Sequence, residues 1–178
     1  MGPFGHCAVG FAAKPAAPRV PLAILLVSTV ALDILATAFG FAGIEGRGDA
    51  GFPWSHGLFM SMISSVVAAL VIARIYRNFR AGVVVGLLVF SHWLLDFVSH
   101  PIPFPSFSWS TWRWDYGHPL PSDLPLLFAS SPKVGLGLYN HISAVEATVL
   151  ELGMLILGAA VYARYTLKQK RNREPHSI

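Results

Sequence analysis

Hydrophobic residues in this chain are gathered into four long stretches, separated by short polar or proline-rich segments. The stretches run approximately over residues 21–44, 56–76, 81–99 and 142–165. Each approaches the ~20 residues that a helix needs to cross a ~30 Å hydrocarbon core. Because backbone groups in lipid must be hydrogen-bonded within their own segment, each stretch is interpreted as a helix. The pattern therefore predicts four transmembrane helices.

The segments around these stretches complete the predicted architecture. Residues 1–13 are apolar but too short to cross a bilayer, so we predict a half-helix that dips into the bilayer at the N-terminus, with an interfacial segment as the alternative. Residues 100–140 form a long connection rich in Pro, Trp and Phe, and its aromatic rings suit the headgroup level. Residues 166–178 form a basic tail. We therefore predict a single all-α polytopic membrane domain over residues 1–178.

Composition supports lipid as the solvent. The chain is 54% hydrophobic and only 12% charged, whereas soluble domains carry about 25% charged residues. The net charge of +4 is spread through short segments between apolar stretches rather than gathered into a patch. That distribution argues against nucleic acid as a partner and favours membrane lipids.

The basic residues orient the predicted helices. Ten of the 13 Lys and Arg residues lie before the first stretch, between the second and third, or after the fourth. The other connections contain only Arg47, Arg113 and Lys133. By the positive-inside rule, both termini and the short middle loop are predicted to be cytoplasmic, with residues 100–140 on the outer side.

Several ionisable residues lie within or beside the apolar stretches, where they are costly and usually face the bundle interior for a functional reason. At ~1.5 Å per helical residue, six of them lie about 12–27 Å above the nearest cytoplasmic charge. Antiparallel helices would therefore bring them together between the middle and the outer face of the bilayer. The six are His6, Asp33, His56, His92, Asp96 and Glu151.

The third stretch contains the most specific local motif, SHWLLDFVSH. His92 and Asp96 are one helical turn apart, and His100 follows one turn later, so the three lie within an ~80° arc. A His and a carboxylate at this spacing can chelate one cation. Interhelical hydrogen bonding is the alternative interpretation. The further groups at similar depth, Asp33, His56 and Glu151, favour a metal site over that alternative.

The metal and the catalytic groups remain open in part. Histidine with carboxylate suits a divalent ion such as Zn, Mn or Fe, bound singly or as a pair. Glu151 is the predicted general base, and an Asp that does not bind metal is the alternative. Glu146 lies nearer the membrane interface, where solvation alone explains a charged group.

The motifs also resemble a known family. GHCAVGFAAK at the N-terminus, SH at the second stretch, SHWLLDFVSH in the third and KVGLGLYN before the fourth are similar to the YdjM-like family. These small bacterial inner-membrane proteins are described as metal-dependent hydrolases and also as permeases. The resemblance implies a metal site on His6, His56, His92 and Asp96, with Asp33 at the family's acidic position.

One departure from the family pattern affects a single ligand. About twenty aromatic and proline-rich residues separate the third stretch from the segment SDLP, so the family's next histidine aligns with either His100 or His118.

Three functions follow as hypotheses. The first is a membrane hydrolase that cleaves a lipid-like or apolar ester or phosphoester. The second is a small permease, for which four helices would require a homo-oligomer, and the third is a non-catalytic membrane subunit or assembly factor.

Overall fold

The protein is mostly helical. The structure, a computed structural model, describes residues 2–45, 52–99, 106–108, 113–115, 124–127 and 133–172. Its α-helices are α1 (Pro3–Ala13), α2 (Leu22–Thr29), α3 (Ala31–Phe41), α4 (Pro53–His56), α5 (Leu58–Tyr76), α6 (Phe79–Ser99) and α7 (Ala144–Arg171). The short strands β1 (Ser106–Ser108), β2 (Arg113–Asp115), β3 (Leu124–Pro125) and β4 (Lys133–Val134) and a 3₁₀ helix (Leu138–His141) lie between α6 and α7.

Three helices, α5, α6 and α7, are long and apolar enough to cross a membrane. A fourth span exists if α2 and α3 are counted together, because they meet at a bend of 59°. The predicted stretches therefore correspond to these elements with shifted ends. α5 begins at Leu58 rather than at His56, and α7 continues to Arg171, so that the first part of the predicted basic tail is helical.

The bend between α2 and α3 lies at Val30, whose backbone (φ −117°, ψ 15°) departs from helical geometry. Two side chains just before it bond back to their own helix. Ser28 Oγ donates to the Ile24 carbonyl at 2.6 Å, and Thr29 Oγ1 donates to the Leu26 carbonyl at 2.7 Å. Such back-bonding by Ser and Thr bends helices. The predicted single helix over residues 21–44 is therefore wrong in this detail, since it is two helices.

Helix α6 lies at the centre of the bundle. Half of its most apolar 18-residue stretch is buried within the protein, whereas the corresponding share is 17% for α5 and 11% for α7. Its glycines allow close approach to α5, because a Cβ on Gly86 would lie 2.8 Å from the Ser65 carbonyl and 2.9 Å from the Ala69 Cβ. Small residues of this kind let helix backbones pack closely where lipid gives no hydrophobic drive between helices.

The short N-terminal helix α1 is present as predicted, and it packs along α7, α2 and α6. A Cβ on Gly158 of α7 would collide with the backbone carbonyl of Ala8, so the glycine allows the two helices to touch. At the start of α1, the Gly2 N–H donates to Glu151 Oε1 at 2.6 Å. Packing and one buried hydrogen bond thus hold α1 within the bundle.

The connection between α6 and α7 is not wholly irregular. β1 pairs with β2 and β3 with β4, both antiparallel. These short strands correct the strictly all-α expectation, although the protein remains mostly helical. The aromatic side chains predicted to lie at the headgroup level are outside the described part of the chain. α7 begins with a capping box in which Ser143 and Glu146 bond reciprocally, which fixes the start of this helix.

Candidate metal centre

Three predicted ligands from three different helices form a nearly equilateral triangle. The Nε2 atoms of His56 and His92 are 3.2 Å apart, and each lies 3.4 Å from Oδ1 of Asp33. Four ligands at about 2.0–2.1 Å around a zinc ion would be separated by about 3.3–3.4 Å if tetrahedral. The edges of the triangle therefore match the spacing of ligand atoms around one ion.

The carboxylate of Asp96 joins this triangle to a fourth helix. Its Oδ2 lies 3.3 Å from His92 Nε2 and 3.9 Å from His56 Nε2, and its Oδ1 lies 3.3 Å from Nε2 of His6. Asp96, His92 and His6 are each at most 2% exposed. The structure thus brings together all five predicted ligands, in two overlapping groups, Asp33–His56–His92 and His6–His92–Asp96.

The hydrogen bond made by the other ring nitrogen of His92 sets its protonation. Nδ1 lies 2.8 Å from the carbonyl oxygen of Thr29, the last residue of α2. A carbonyl only accepts, so Nδ1 carries the proton, and in the neutral ring Nε2 presents its lone pair to Asp33, Asp96 and His56. Histidines that bind metals are usually oriented by such a bond from the second nitrogen.

His56 is held by a short helix rather than by a long one. It ends α4, and Gly57 (φ −63°, ψ 141°) separates it from α5. The Ser55 hydroxyl lies 2.8 Å from His56 Nδ1, in the position of an orienting partner. The buried carboxylate of Glu45 accepts from the backbone N–H groups of Trp54 and Ser55 at 3.0 and 3.2 Å, which fixes α4 in place.

His6 stands out because its buried ring has no hydrogen bond. Its Nε2 is within ion-pair distance of Asp96, but the orientation does not make a hydrogen bond, and neither ring nitrogen has a hydrogen-bond partner among the described residues. Buried polar atoms are nearly always satisfied, so such an exception calls for an explanation such as a ligand. A metal ion at Nε2 would supply one.

Glu151, the predicted general base, lies in a different set of contacts. It is buried, and its Oε1 accepts from the Gly2 N–H at 2.6 Å and from the Tyr139 hydroxyl at 3.3 Å. Burial, and then the carboxylate beside it, raise the pKa of the Tyr139 hydroxyl, so that Tyr139 remains a donor. Glu151 belongs to neither ligand group. These contacts describe an anchor for α1 and do not favour a base. Glu146 is exposed, as expected for a group at the interface.

Sequence reasoning missed four groups that support the site: Glu45, Ser55, Tyr139 and the carbonyl of Thr29. Ser55 had a signal, since it precedes His56 in the SH motif. Glu45 follows the end of an apolar stretch and therefore resembles an ordinary interfacial charge. The Thr29 carbonyl is a backbone atom and carries no signal in residue type. His100 and His118, the two candidates for a further ligand, lie outside the described residues.

These features define a mostly helical protein with helices able to cross a membrane and a buried His/Asp cluster that could hold a metal ion. In comparisons with known proteins, no protein-family model, no curated protein and no solved structure matches the chain. The resemblance to the YdjM-like family therefore stays a prediction from its motifs.

Proposed function

We propose that this protein is a membrane-bound, metal-dependent hydrolase that cleaves a lipid-like or apolar ester or phosphoester. The observation that carries the proposal is the triangle of Asp33 Oδ1, His56 Nε2 and His92 Nε2, with edges of 3.2–3.4 Å. Three protein ligands from His and carboxylate, with further positions open, are the usual composition of a catalytic zinc site.

The triangle has one open side. The Asp33 side chain is 56% exposed, whereas that of His92 is 1% exposed. A substrate would therefore arrive on the Asp33 side, while the His92 side is closed by packed helices. A divalent ion held there would supply Lewis-acid activation of water and polarisation of the scissile bond. Zn, Mn and Fe all suit this donor set.

We assign the role of proton acceptor to Oδ2 of Asp33, the carboxylate oxygen that is not part of the triangle, ahead of Glu151. Asp33 is the exposed carboxylate of the centre, and its Oδ1 already lies beside both histidines of the triangle. Glu151 accepts two hydrogen bonds elsewhere. A general base must lie within hydrogen-bond reach of the proton that it removes, or one water away. A water molecule bound to the same ion as Asp33 Oδ1 would lie beside this carboxylate, with Oδ2 of Asp33 within reach of its proton.

The membrane setting supports the choice of substrate. We propose four spans, with α2 and α3 forming one bent span, and cytoplasmic termini in accordance with the basic residues. Long hydrophobic surfaces on α5 and α7 are exposed, as expected of helices that contact lipid. A site between such helices is reached most directly by a molecule that is itself dissolved in the bilayer. The resemblance to the YdjM-like family adds the bacterial inner membrane as the location.

Metal analysis of the full chain purified in mild detergent tests the proposal. We expect stoichiometric divalent metal in the wild type, most of it lost in His92→Ala and Asp96→Ala, and retained in His141→Ala, whose histidine is exposed in the 3₁₀ helix. Chelation should abolish hydrolysis of a lipid ester or phosphoester, and added metal should restore it. Full metal retention in both site variants would mean that the His and Asp groups only join helices. Metal without hydrolysis across a broad lipid panel would instead favour a permease or a non-catalytic subunit.

A further inference from the structure

The imidazole rings of His6 and His92 are stacked face to face. Their centroids are 3.9 Å apart and their planes differ by only 9°. Both present Nε2 to the same carboxylate, since Nε2 of His6 lies 3.3 Å from Asp96 Oδ1 and Nε2 of His92 lies 3.3 Å from Asp96 Oδ2. The two rings are therefore parallel, and both direct Nε2 towards the carboxylate of Asp96.

This stacking prevents the two rings from sharing one ion. The lone pair of an imidazole nitrogen lies in the ring plane, so a bound ion lies in or near that plane, about 2.0–2.1 Å from the nitrogen. An ion in the plane of His92 would lie out of the plane of His6 by about the stacking distance, where the in-plane lone pair of His6 Nε2 does not reach it. The positions that the two rings favour are therefore separated by roughly the stacking distance. Paired ions in two-metal hydrolytic centres are about 3.5–4 Å apart.

We infer that the centre holds two divalent ions, bridged by the two oxygens of Asp96. One ion lies in the triangle of Asp33, His56 and His92, and the second lies between His6 Nε2 and Asp96 Oδ1. The inference rests on the proposed function for the first ion and adds a second site. With two protein ligands, the second ion would complete its coordination with water or substrate oxygen atoms, as in metal pairs that clamp the attacking and leaving oxygens of a phosphoester.

The state of His6 supports the second site independently of the triangle. The ring is buried, 1% exposed, and both of its nitrogens lack hydrogen-bond partners within the described residues. A structural histidine at this depth would be expected to bond to a carbonyl or a hydroxyl, as His92 does through Thr29. Its stacking on His92 fixes the direction of the ring, and Nε2 has the ion-pair contact with Asp96 Oδ1 at 3.3 Å. An ion between these two atoms would bind both.

A two-metal clamp also narrows the substrate class. A bridging carboxylate with an ion on each side matches the in-line displacement at phosphorus, in which charge develops on two opposite oxygens. A single ion would serve an acyl ester equally well. The second ion therefore favours a phosphoester of a membrane lipid over a carboxylic ester.

Metal titration of the full chain in detergent, with Mn²⁺ and Zn²⁺, tests the second site. We expect the wild type to bind about two ions per chain and the Mn²⁺-loaded protein to give the electron paramagnetic resonance spectrum of a magnetically coupled pair. His6→Ala should retain about one ion and give the spectrum of isolated Mn²⁺. His141→Ala, the exposed control, should match the wild type.

The outcomes separate this inference from the proposed function. One ion per chain at saturation in the wild type, with no coupled spectrum, would overturn the second site and leave the hydrolase proposal standing. A coupled spectrum that survives in His6→Ala would also overturn it, because the second ion would then lie elsewhere. A wild type that binds no metal would overturn both. The number of ions bound by the wild type and its spectrum test the second site even if the His6→Ala protein fails to fold.

Discussion

The backbone N–H of Gly2 and the carboxylate of Glu151 are joined by a buried hydrogen bond of 2.6 Å, although 149 positions separate them in the sequence. The contact fixes the beginning of α1 against α7. Gly2 is the extended residue just before α1, and His6 lies in the first turns of that helix, so an anchor at Gly2 also holds the part of α1 that carries His6.

Substitutions at Glu151 distinguish this anchor from a general base. In Glu151→Gln, the amide oxygen can still accept from Gly2 and Tyr139, so we expect hydrolysis within tenfold of the wild type and unchanged metal content. Glu151→Leu removes the acceptor and should release the ion bound by His6. Glu146→Gln, which keeps the capping pattern on the same helix, is the control. A loss of ~10²–10⁴ in rate for Glu151→Gln with metal intact would restore Glu151 as the base.

Ser55→Ala tests whether the hydroxyl beside His56 Nδ1 orients a ligand. Loss of an orienting partner of this kind typically weakens metal binding by about 10–100-fold. We expect that loss in competition titrations with a chelator, with little change in thermal stability. Thr148→Ala is the matched control, since that hydroxyl is exposed and bonds only to the Ala144 carbonyl of its own helix. Equal metal affinity in both variants would exclude an orienting role for Ser55.

Two glycines in helices should respond oppositely to alanine. At Gly86, a Cβ would press on α5, 2.8 Å from the Ser65 carbonyl, so Gly86→Ala should lower stability by about 1–3 kcal/mol. At Gly153 a Cβ would meet nothing within 4 Å, so Gly153→Ala should be neutral or stabilising by about 0.5–1 kcal/mol. Thermal unfolding in detergent measures both. A Gly86→Ala protein as stable as the wild type would contradict the close packing of α5 on α6.

The orientation in the membrane can be measured with reporter fusions. Fusions near Arg77 and after Lys170 should report the cytoplasm, and fusions near Trp109 should report the outer side, because basic residues concentrate on the cytoplasmic face. A cytoplasmic signal from the Trp109 fusion would reverse the orientation. It would leave the metal centre unaffected, since the centre rests on side-chain distances within the bundle.

The sequence was informative where a property runs along a single helix. The lengths of the apolar stretches predicted α5, α6 and α7 because crossing a bilayer requires a minimum number of residues in a row. The spacing of His92 and Asp96 was visible for the same reason, since residues four apart share a helical face. Depth counted from the basic residues was enough to bring Asp33 and His56 to the same level.

Other features depend on where separate elements meet, and no local pattern encodes that. The break at Val30 involves neither Pro nor Gly, and its signal is only the Ser28–Thr29 pair. The break places the Thr29 carbonyl at the end of α2, where His92 reaches it. The general-base role of Glu151 stays a prediction that rests on its depth alone. Depth does not report direction, and its hydrogen bonds point to Gly2 and Tyr139.

The pairing of α1 with α7 has a consequence for biosynthesis. The helix that carries His6 is made early, whereas α7, to which it is joined by a buried hydrogen bond, is the last helix in the described chain, so the packing of α1 is incomplete until α7 has been inserted. Contacts between distant segments are closed late. We therefore expect a chain arrested before α7 to hold α1 in a protease-sensitive state, and protection of α1 to appear only once α7 has entered the membrane. The protease sensitivity of α1 would then report whether insertion of the chain has reached α7.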